Sequence, residues 1–332
     1  DYLEIEIKFD CVFAIAVLTA SCLIVSCSSG ESNVVKGNRD GIIHVGNGTE
    51  PQSLDPHVVT GTPEINIVKA LFEGLVTIDP FSLQPRPGVA ESWHFSDDQR
   101  QVTFTLNPKA RWSNGDPVVA EDFVWSWRRA LDPQFGNLNT ERFFPIKNAQ
   151  AYSTGAIKDP ELLGIKAEDA HTLTLTLNEP TPYLLYLLDD ATTYPVHRAT
   201  IEKFGKSSQR FTGWTREGNM VSNGPFKLKR WQFNRRVEVA KDPNYWNAKN
   251  IRLNGIVFHP IESGMLEERM FRVGQLHYTQ DVPLGKVVHY QTMENSPYEQ
   301  TASFASYYYL FNTEEEPVDD VRVRRALAMA ID

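Results

Sequence analysis

The chain has 332 residues, 41% of them hydrophobic and 23% charged, which is enough apolar surface to bury one large core or two and too much for a disordered tail. Its formal charge is −9; Asp1, Glu4, Glu6 and Asp10 against Lys8 account for −3 of this, and the acidic remainder argues against a nucleic-acid partner, which a basic surface is needed to hold. All three cysteines, Cys11, Cys22 and Cys27, fall at the start of the chain, so the rest can form no disulfide, thiolate nucleophile or cysteine metal site.

Residues 11–27 carry no charge and give way to the polar run Ser28-Ser29-Gly30-Glu31-Ser32-Asn33. This reads as an export signal: the run suits a signal peptide's apolar region and falls short of the ~20 residues of a spanning helix. Ile24-Val25-Ser26-Cys27 approximates a bacterial lipobox, with Cys27 as the lipidated residue and residues 28–37 as a tether. A plainly cleaved signal and an uncleaved anchor helix are the alternatives. The acidic first ten residues and the absence of an initial Met depart from a signal's basic start, so the true start is expected elsewhere.

Gly41-Ile42-Ile43-His44-Val45-Gly46 reads as a short buried strand bounded by glycines. A polar, proline-punctuated loop follows over 48–57. Thr62 as cap, Pro63 at the first helical position and Glu64 in the first turn open a helix of about three turns, with Ile65, Val68, Leu71 and Phe72 at helical spacing up to Gly74. Val102, Phe104 and Leu106, and again Leu173, Leu175 and Leu177, alternate with polar neighbours as half-buried strands do. Between them, 112–117 is a turn and 121–131 a helix with Val124, Trp127 and Leu131 on one face. Thr181-Pro182 starts another helix, 222–225 is a turn, and strands are expected over 226–231, 237–240 and 256–259. Residues 320–332 form an amphipathic helix that ends without a capping glycine, which leads us to expect a partner segment beyond it.

The chemistry of an enzyme is hard to find. No two of the eight histidines lie closer than twelve residues, which excludes a His-x-x-x-His metal pair, and most are expected on the surface or in loops. Gly205-Lys206-Ser207-Ser208 imitates the end of a phosphate-binding loop but lacks its first glycine, Thr200 standing there. A Gly-x-Ser-x-Gly elbow is absent. Adjacent carboxylates at 121–122, 189–190 and 319–320 suit helix starts and solvent. Trp125 and Trp127 read as core, whereas Tyr307-Tyr308-Tyr309 in the strand-like run 306–311 must point to both faces, so at least one hydroxyl needs a polar partner or a ligand.

Several stretches together resemble the family-5 solute-binding proteins, the peptide receptors of bacterial ABC importers. They are Gly48 to Pro56, Phe72-Glu73-Gly74-Leu75, Gly88-Val89-Ala90-Glu91-Ser92-Trp93 with Thr103-Phe104-Thr105-Leu106, Ala110 to Trp127, Asn223-Gly224-Pro225-Phe226, Tyr245-Trp246 and Val321-Arg322-Val323-Arg324-Arg325-Ala326. The resemblance implies an α/β fold of the two-lobed, class II periplasmic-binding-protein type with an extra inserted domain. After the signal (1–27) and tether (28–37), residues 38–72 and 200–309 would form lobe I, 73–199 the extra domain and 310–332 the start of an incomplete lobe II.

It further implies a non-enzymatic, extracytoplasmic receptor, expected to be a monomer in the periplasm, membrane-associated through the lipid, with an oligopeptide ligand, an ABC permease partner and no cofactor, metal or catalytic residue. An extended peptide would be held through its main chain, which is the same for every sequence. The implied peptide-binding residues are Thr60, Gly61 and Thr62 before the first long helix, Thr279, Gln280 and Asp281 after Gly274, and Tyr307, Tyr308 and Tyr309, Tyr308 foremost. Thr60 and Leu310 stand where relatives have acids, and Gly274-Gln275-Leu276-His277 replaces the usual Gly-Glu-Ile-Asp. Rival readings are a same-fold receptor for murein peptide, dipeptide, haem, nickel or an oligosaccharide, a secreted hydrolase, and an envelope interaction protein without a cleft.

Overall fold

A computed structural model describes residues 30–300 and 308–331. The chain divides into two compact units, one up to Pro283 and one from Leu284 onward.

The first unit opens with α1 (Asn33–Asp40), where a tether was expected up to residue 37. Its ends explain it: the Ser32 side chain accepts from the Val35 N–H, Gly41 closes the helix at φ 69°, and Val34 N donates to Gly274 O at 3.0 Å, so cap, stop and docking are all supplied. β1 (Ile42–Gly46) follows and is half-buried rather than buried. The loop after it turns inward, with Leu54, Asp55 and His57 at 0–1% exposure. α2 (Thr62–Leu71) is capped by Gly61, without a side-chain bond, and not by Thr62, which is its first residue.

Next come the short pair β2 (Val76–Ile78) and β3 (Pro85–Pro87), then β4 (Ala90–Phe95) and β5 (Gln101–Leu106), α3 (Ala120–Leu131) and α4 (Ala149–Ser153). β6 (Ile165–Asp169) and β7 (Thr172–Thr176) complete an antiparallel sheet in the order β4-β5-β7-β6. The expected alternation is met in register: Val102 pairs with Leu175 and Phe104 with Leu173, all of them fully buried, while α3 lies against β6 and β7. The Asp122 carboxylate accepts from Val119 N and Trp112 Nε1 at the start of α3, and Trp127 donates to Thr193 O at 2.7 Å from within the core. α5 (Leu184–Leu187) makes only one turn, because the Asp190 carboxylate starts a new turn by accepting from Thr192 N. α6 (Arg198–Phe204) then ends at Gly205, so the phosphate-loop imitation sits behind a helix rather than before one.

β8 (Phe226–Gln232), β9 (Arg236–Lys241) and β10 (Gly255–His259) return to β1. The resulting sheet runs β1-β10-β9-β8, with β1 and β10 parallel and the β8–β9 hairpin carrying a register shift between Leu228 and Arg230. α7 (Gly264–Arg272) closes this unit. One buried cluster runs from Leu54 through Phe104 and Trp127 to Val239 and Phe258, so both sheets share a core. They are knitted where Gly224 N donates to Leu71 O at 2.8 Å. A Cβ on Gly224 would lie 2.6 Å from the Leu71 carbonyl carbon, which excludes any side chain, and the Asn223 amide bonds both the N–H and C=O of Glu73.

In the second unit, α8 (Leu284–Thr292) and α9 (Val321–Met329) are helical, α9 with an Asp320 cap. The described part of the expected tyrosine strand, residues 308–311, adopts no strand. A strand needs a neighbour for its backbone hydrogen bonds, and no strand lies among the described residues of this unit.

Most histidines lie on the surface or in loops as expected, yet several are built into the interior. His57 and His197 are buried, and His259, His44 and His277 stack within the first sheet, with centroids 5.3 and 5.9 Å apart. Sequence separations of more than two hundred residues hide this cluster from any spacing rule. His277 Nδ1 accepts from His44 N at 3.0 Å. The Asp55 carboxylate and Arg129 guanidinium form a bidentate pair, 1–2% exposed, at 2.6 and 3.2 Å. Arg129 Nη1 donates to His57 Nδ1 at 2.8 Å, which leaves Nε2–H to donate to Tyr194 O at 3.0 Å.

Two predictions follow from these groups. Arg129→Met strands a buried carboxylate and should cost about 3–5 kcal/mol of stability, read as the loss in urea midpoint; a change below ~1 kcal/mol would contradict the pairing. Burial, then Arg129, pushes the His57 imidazole down to about 4, and burial, then His44, takes His259 to about 4. An unfolded histidine titrates near ~6.5, so the unfolded chain binds more protons as pH falls. Stability should therefore be full above about 6.5 and fall toward pH 4, His57 contributing on the order of 3 kcal/mol. His57→Gln should flatten that limb of the denaturation-versus-pH curve.

Candidate functional site

The C-terminal end of β1 gathers the chain's polar features. Gly46 N donates to Tyr278 O at 3.0 Å, and His277 N to His44 O at 2.8 Å, so residues 277–278 run alongside β1 on the edge away from β10, with Val45 and Tyr278 forming a parallel bridge. Asn47, 1% exposed, is the hub. Its N–H donates to His259 O, its amide NH2 to Pro63 O at 2.9 Å, and its amide oxygen accepts from Asn66 at 3.1 Å. The strand end and the start of α2 are thereby fixed to each other.

Two acids brace this corner. Glu267 lies across Gly46 so closely that a Cβ there would sit 1.8 Å from its Oε1, and the same oxygen accepts from Gln280 N at 3.2 Å. Burial raises the Glu267 carboxyl and Asp281 adds to the effect, while the Gln280 bond opposes it. Glu64, buried in the first turn of α2, accepts from Gln52 N at 3.0 Å.

Two groups of the expected ligand-binding residues adjoin the anchors of this corner. Thr60 and Thr62 are exposed on the loop entering α2, with Gly61 between them, and Thr279, Gln280 and Asp281 follow the added edge segment. The position of a Cβ on Gly48 is 3.5 Å from Pro63 and 3.6 Å from Gln280 Oε1, so that glycine lies between Pro63 and Gln280. Both groups are tied to the carboxyl end of a strand, the end outside which open α/β sheets bind ligands. Tyr308 and Tyr309 belong to the second unit, 70% and 64% exposed. Tyr307 and Cys27 lie outside the described residues. Asn47 and Glu267 were not picked out from the sequence, and Glu64 was read only as a first-turn acid; an Asn after a Gly-bounded strand was the local signal for Asn47.

Among the described residues, no group of three His, Cys, Asp or Glu could hold a metal ion, and no helix is long and apolar enough to cross a membrane. Asn47→Ala should leave Pro63 O and Asn66 unsatisfied at a cost of about 1–3 kcal/mol. The check is urea denaturation with amide exchange, and faster exchange confined to residues 60–66 is the expected signature.

The chain matches the model of the bacterial extracellular solute-binding proteins, family 5, over residues 84–332. It is 39% identical to the periplasmic oligopeptide-binding protein OppA of Escherichia coli (strain K12) over 295 residues, covering 86% of this chain and 52% of that protein. The solved structure of OppA from Burkholderia pseudomallei superposes with a TM-score of 0.82 at 36% identity, over 88% of this chain and 56% of that one. Haemophilus influenzae OppA in complex with the peptide RPPGFSPFR gives 0.80 at 33%, over 88% and 56%. The chain spans about half the length of the curated relatives it matches.

Proposed function

Because the chain belongs to the family-5 bacterial extracellular solute-binding proteins, we infer that it acts as the extracytoplasmic receptor of a peptide ABC importer, capturing oligopeptides for a membrane permease. The observation that carries this reading is that the start of α2, held by Asn47, and the segment at Gln280, held by Glu267, are both anchored to the end of β1. An extended peptide binds by main-chain hydrogen bonds and terminal charge pairing, and its side chains lie in hydrated space, so affinity does not depend on sequence. The peptide bound to the Haemophilus relative supports the ligand class.

On this reading residues 38–72 and 200–309 are lobe I, 73–199 an extra domain and 310–332 the start of lobe II, with Tyr307, Tyr308 and Tyr309 facing the peptide. The receptor is a monomer, periplasmic and held to the membrane by a lipid on Cys27. It is a carrier and not an enzyme, in keeping with relatives named for what they bind.

Mass spectrometry of ligands copurifying with the intact protein should find mixed short peptides, and calorimetry with unrelated tri- to pentapeptides should give micromolar or tighter Kd values within about tenfold of one another. A single sugar, haem or metal complex in place of peptides would sink the reading.

A further inference from the structure

Thr62, Ile65 and Lys69 fall on one face of α2 by helical spacing, so the wall that begins at the candidate site continues along the helix. It leads to a cavity of about 350 Å3 lined by Ile65, Lys69, Arg142, Tyr183, Tyr186 and Asp189. A second cavity, of about 230 Å3, is lined by Lys69, Phe72, Glu73, Asp189, Tyr194 and Tyr245. Lys69 and Asp189 line both, joined by an ion pair of 2.8 Å. With side-chain exposures of 44% and 18%, that pair is of the partly hydrated kind that contributes little. Another cation can take its place cheaply.

Among the described residues, the Glu73 carboxyl in the second cavity has no cationic partner. Glu73 accepts from Tyr245 Oη at 2.5 Å and from Trp246 Nε1 at 2.7 Å, both neutral donors, while Asp189 already has Lys69. Tyr194 is pressed so close that a Cβ on Gly74 would be 2.8 Å from its ring, and the electron-rich faces of Tyr194 and Tyr245 suit a cation.

We propose that the two cavities form one site for a primary ammonium or guanidinium group, which displaces Lys69 from Asp189 and settles against the Glu73 carboxylate between the tyrosines. The group arrives as a free amine or as the basic side chain of a bound peptide, the second source resting on the function proposed above. Burial holds the Glu73 carboxyl up at about 7 against the bonds from Tyr245 and Trp246. The other titratable groups lining the cavity with it are Asp189, Tyr194, Tyr245 and Lys69, and Asp190 acts on Tyr194. A bound cation favours the ionised carboxylate, so below about pH 7 binding should release the Glu73 proton to solvent.

The test is calorimetry of the intact protein at pH 6, in two buffers of different ionisation enthalpy, with agmatine and butylammonium against butanol as the neutral control. Both amines should bind with proton release, and butanol should not bind. Lys69→Met, which removes the resident competitor, should tighten amine binding several-fold, and Glu73→Gln should weaken it roughly tenfold and abolish proton release. Asp189→Asn, read alongside a melting curve, serves if Glu73→Gln does not fold. A lysine tripeptide bound more tightly than its norleucine counterpart, with the preference lost in Asp189→Asn, identifies a peptide side chain; equal affinity for the two peptides, with agmatine still binding, identifies a free amine. Agmatine binding without any peptide binding would remove the transport reading and leave the cation site standing. Peptide binding without amine binding, butanol binding as well as butylammonium, or no gain in Lys69→Met would overturn the site.

Discussion

The Asp55–Arg129 ion pair is the constraint on which the geometry of the first unit rests. It is almost wholly dry, and a dry ion pair holds only while both partners stay in place. Asp55 belongs to the loop between β1 and α2, Arg129 to the helix that covers the second sheet. Arg129 also donates to Ser207 O and lies over the Phe135 ring at 4.2 Å, while His57 extends the network to Tyr194. A loop drawn into the core at Asp55 and released at Thr60 has little freedom at Thr60–Thr62. The exposed hydroxyls there are positioned from inside.

Much of the fold was legible because its periodicities are local. The alternation of Val102, Phe104 and Leu106 and the helical recurrence of Val124, Trp127 and Leu131 each state which face is buried. Residues 33–40 were not, since a short polar helix held by one serine, one glycine and a contact to Gly274 has no apolar stripe to read. The tyrosine run shows the converse: alternation describes side chains, and a strand exists only where another backbone lies beside it. The candidate site divides in the same way. Thr60–Thr62 and Thr279–Asp281 came from resemblance, and spacing alone would not have paired them across two hundred residues. Asn47 and Glu267, which hold them, act through contacts that form only in the folded chain.

Charge is distributed with a similar economy of partners. Acids at Glu64, Glu267 and Glu268 are buried in the first unit. Glu64 and Glu267 accept backbone N–H groups, while Glu268 pairs with the more exposed Arg272. Backbone donors fix a carboxylate in position at less desolvation cost than a second buried ion. The acidic side chains therefore serve as rigid braces between loops, and the stacked imidazoles of His44, His259 and His277 do the corresponding job along β1.

Among the described residues, the first sheet is extended on one side only. Residues 277–278 run along β1, whereas among the described residues β8 has β9 as its strand neighbour and Trp231 N donates to the Glu217 carboxylate. That margin carries Lys227, Lys229 and Arg230 and is broken by the register shift at Leu228/Arg230. Cations and irregularity are what keep an open strand from recruiting another chain. Among the described residues this border has no strand beyond β8, and a second copy approaching it there would meet like charge before it could zip into a common ribbon.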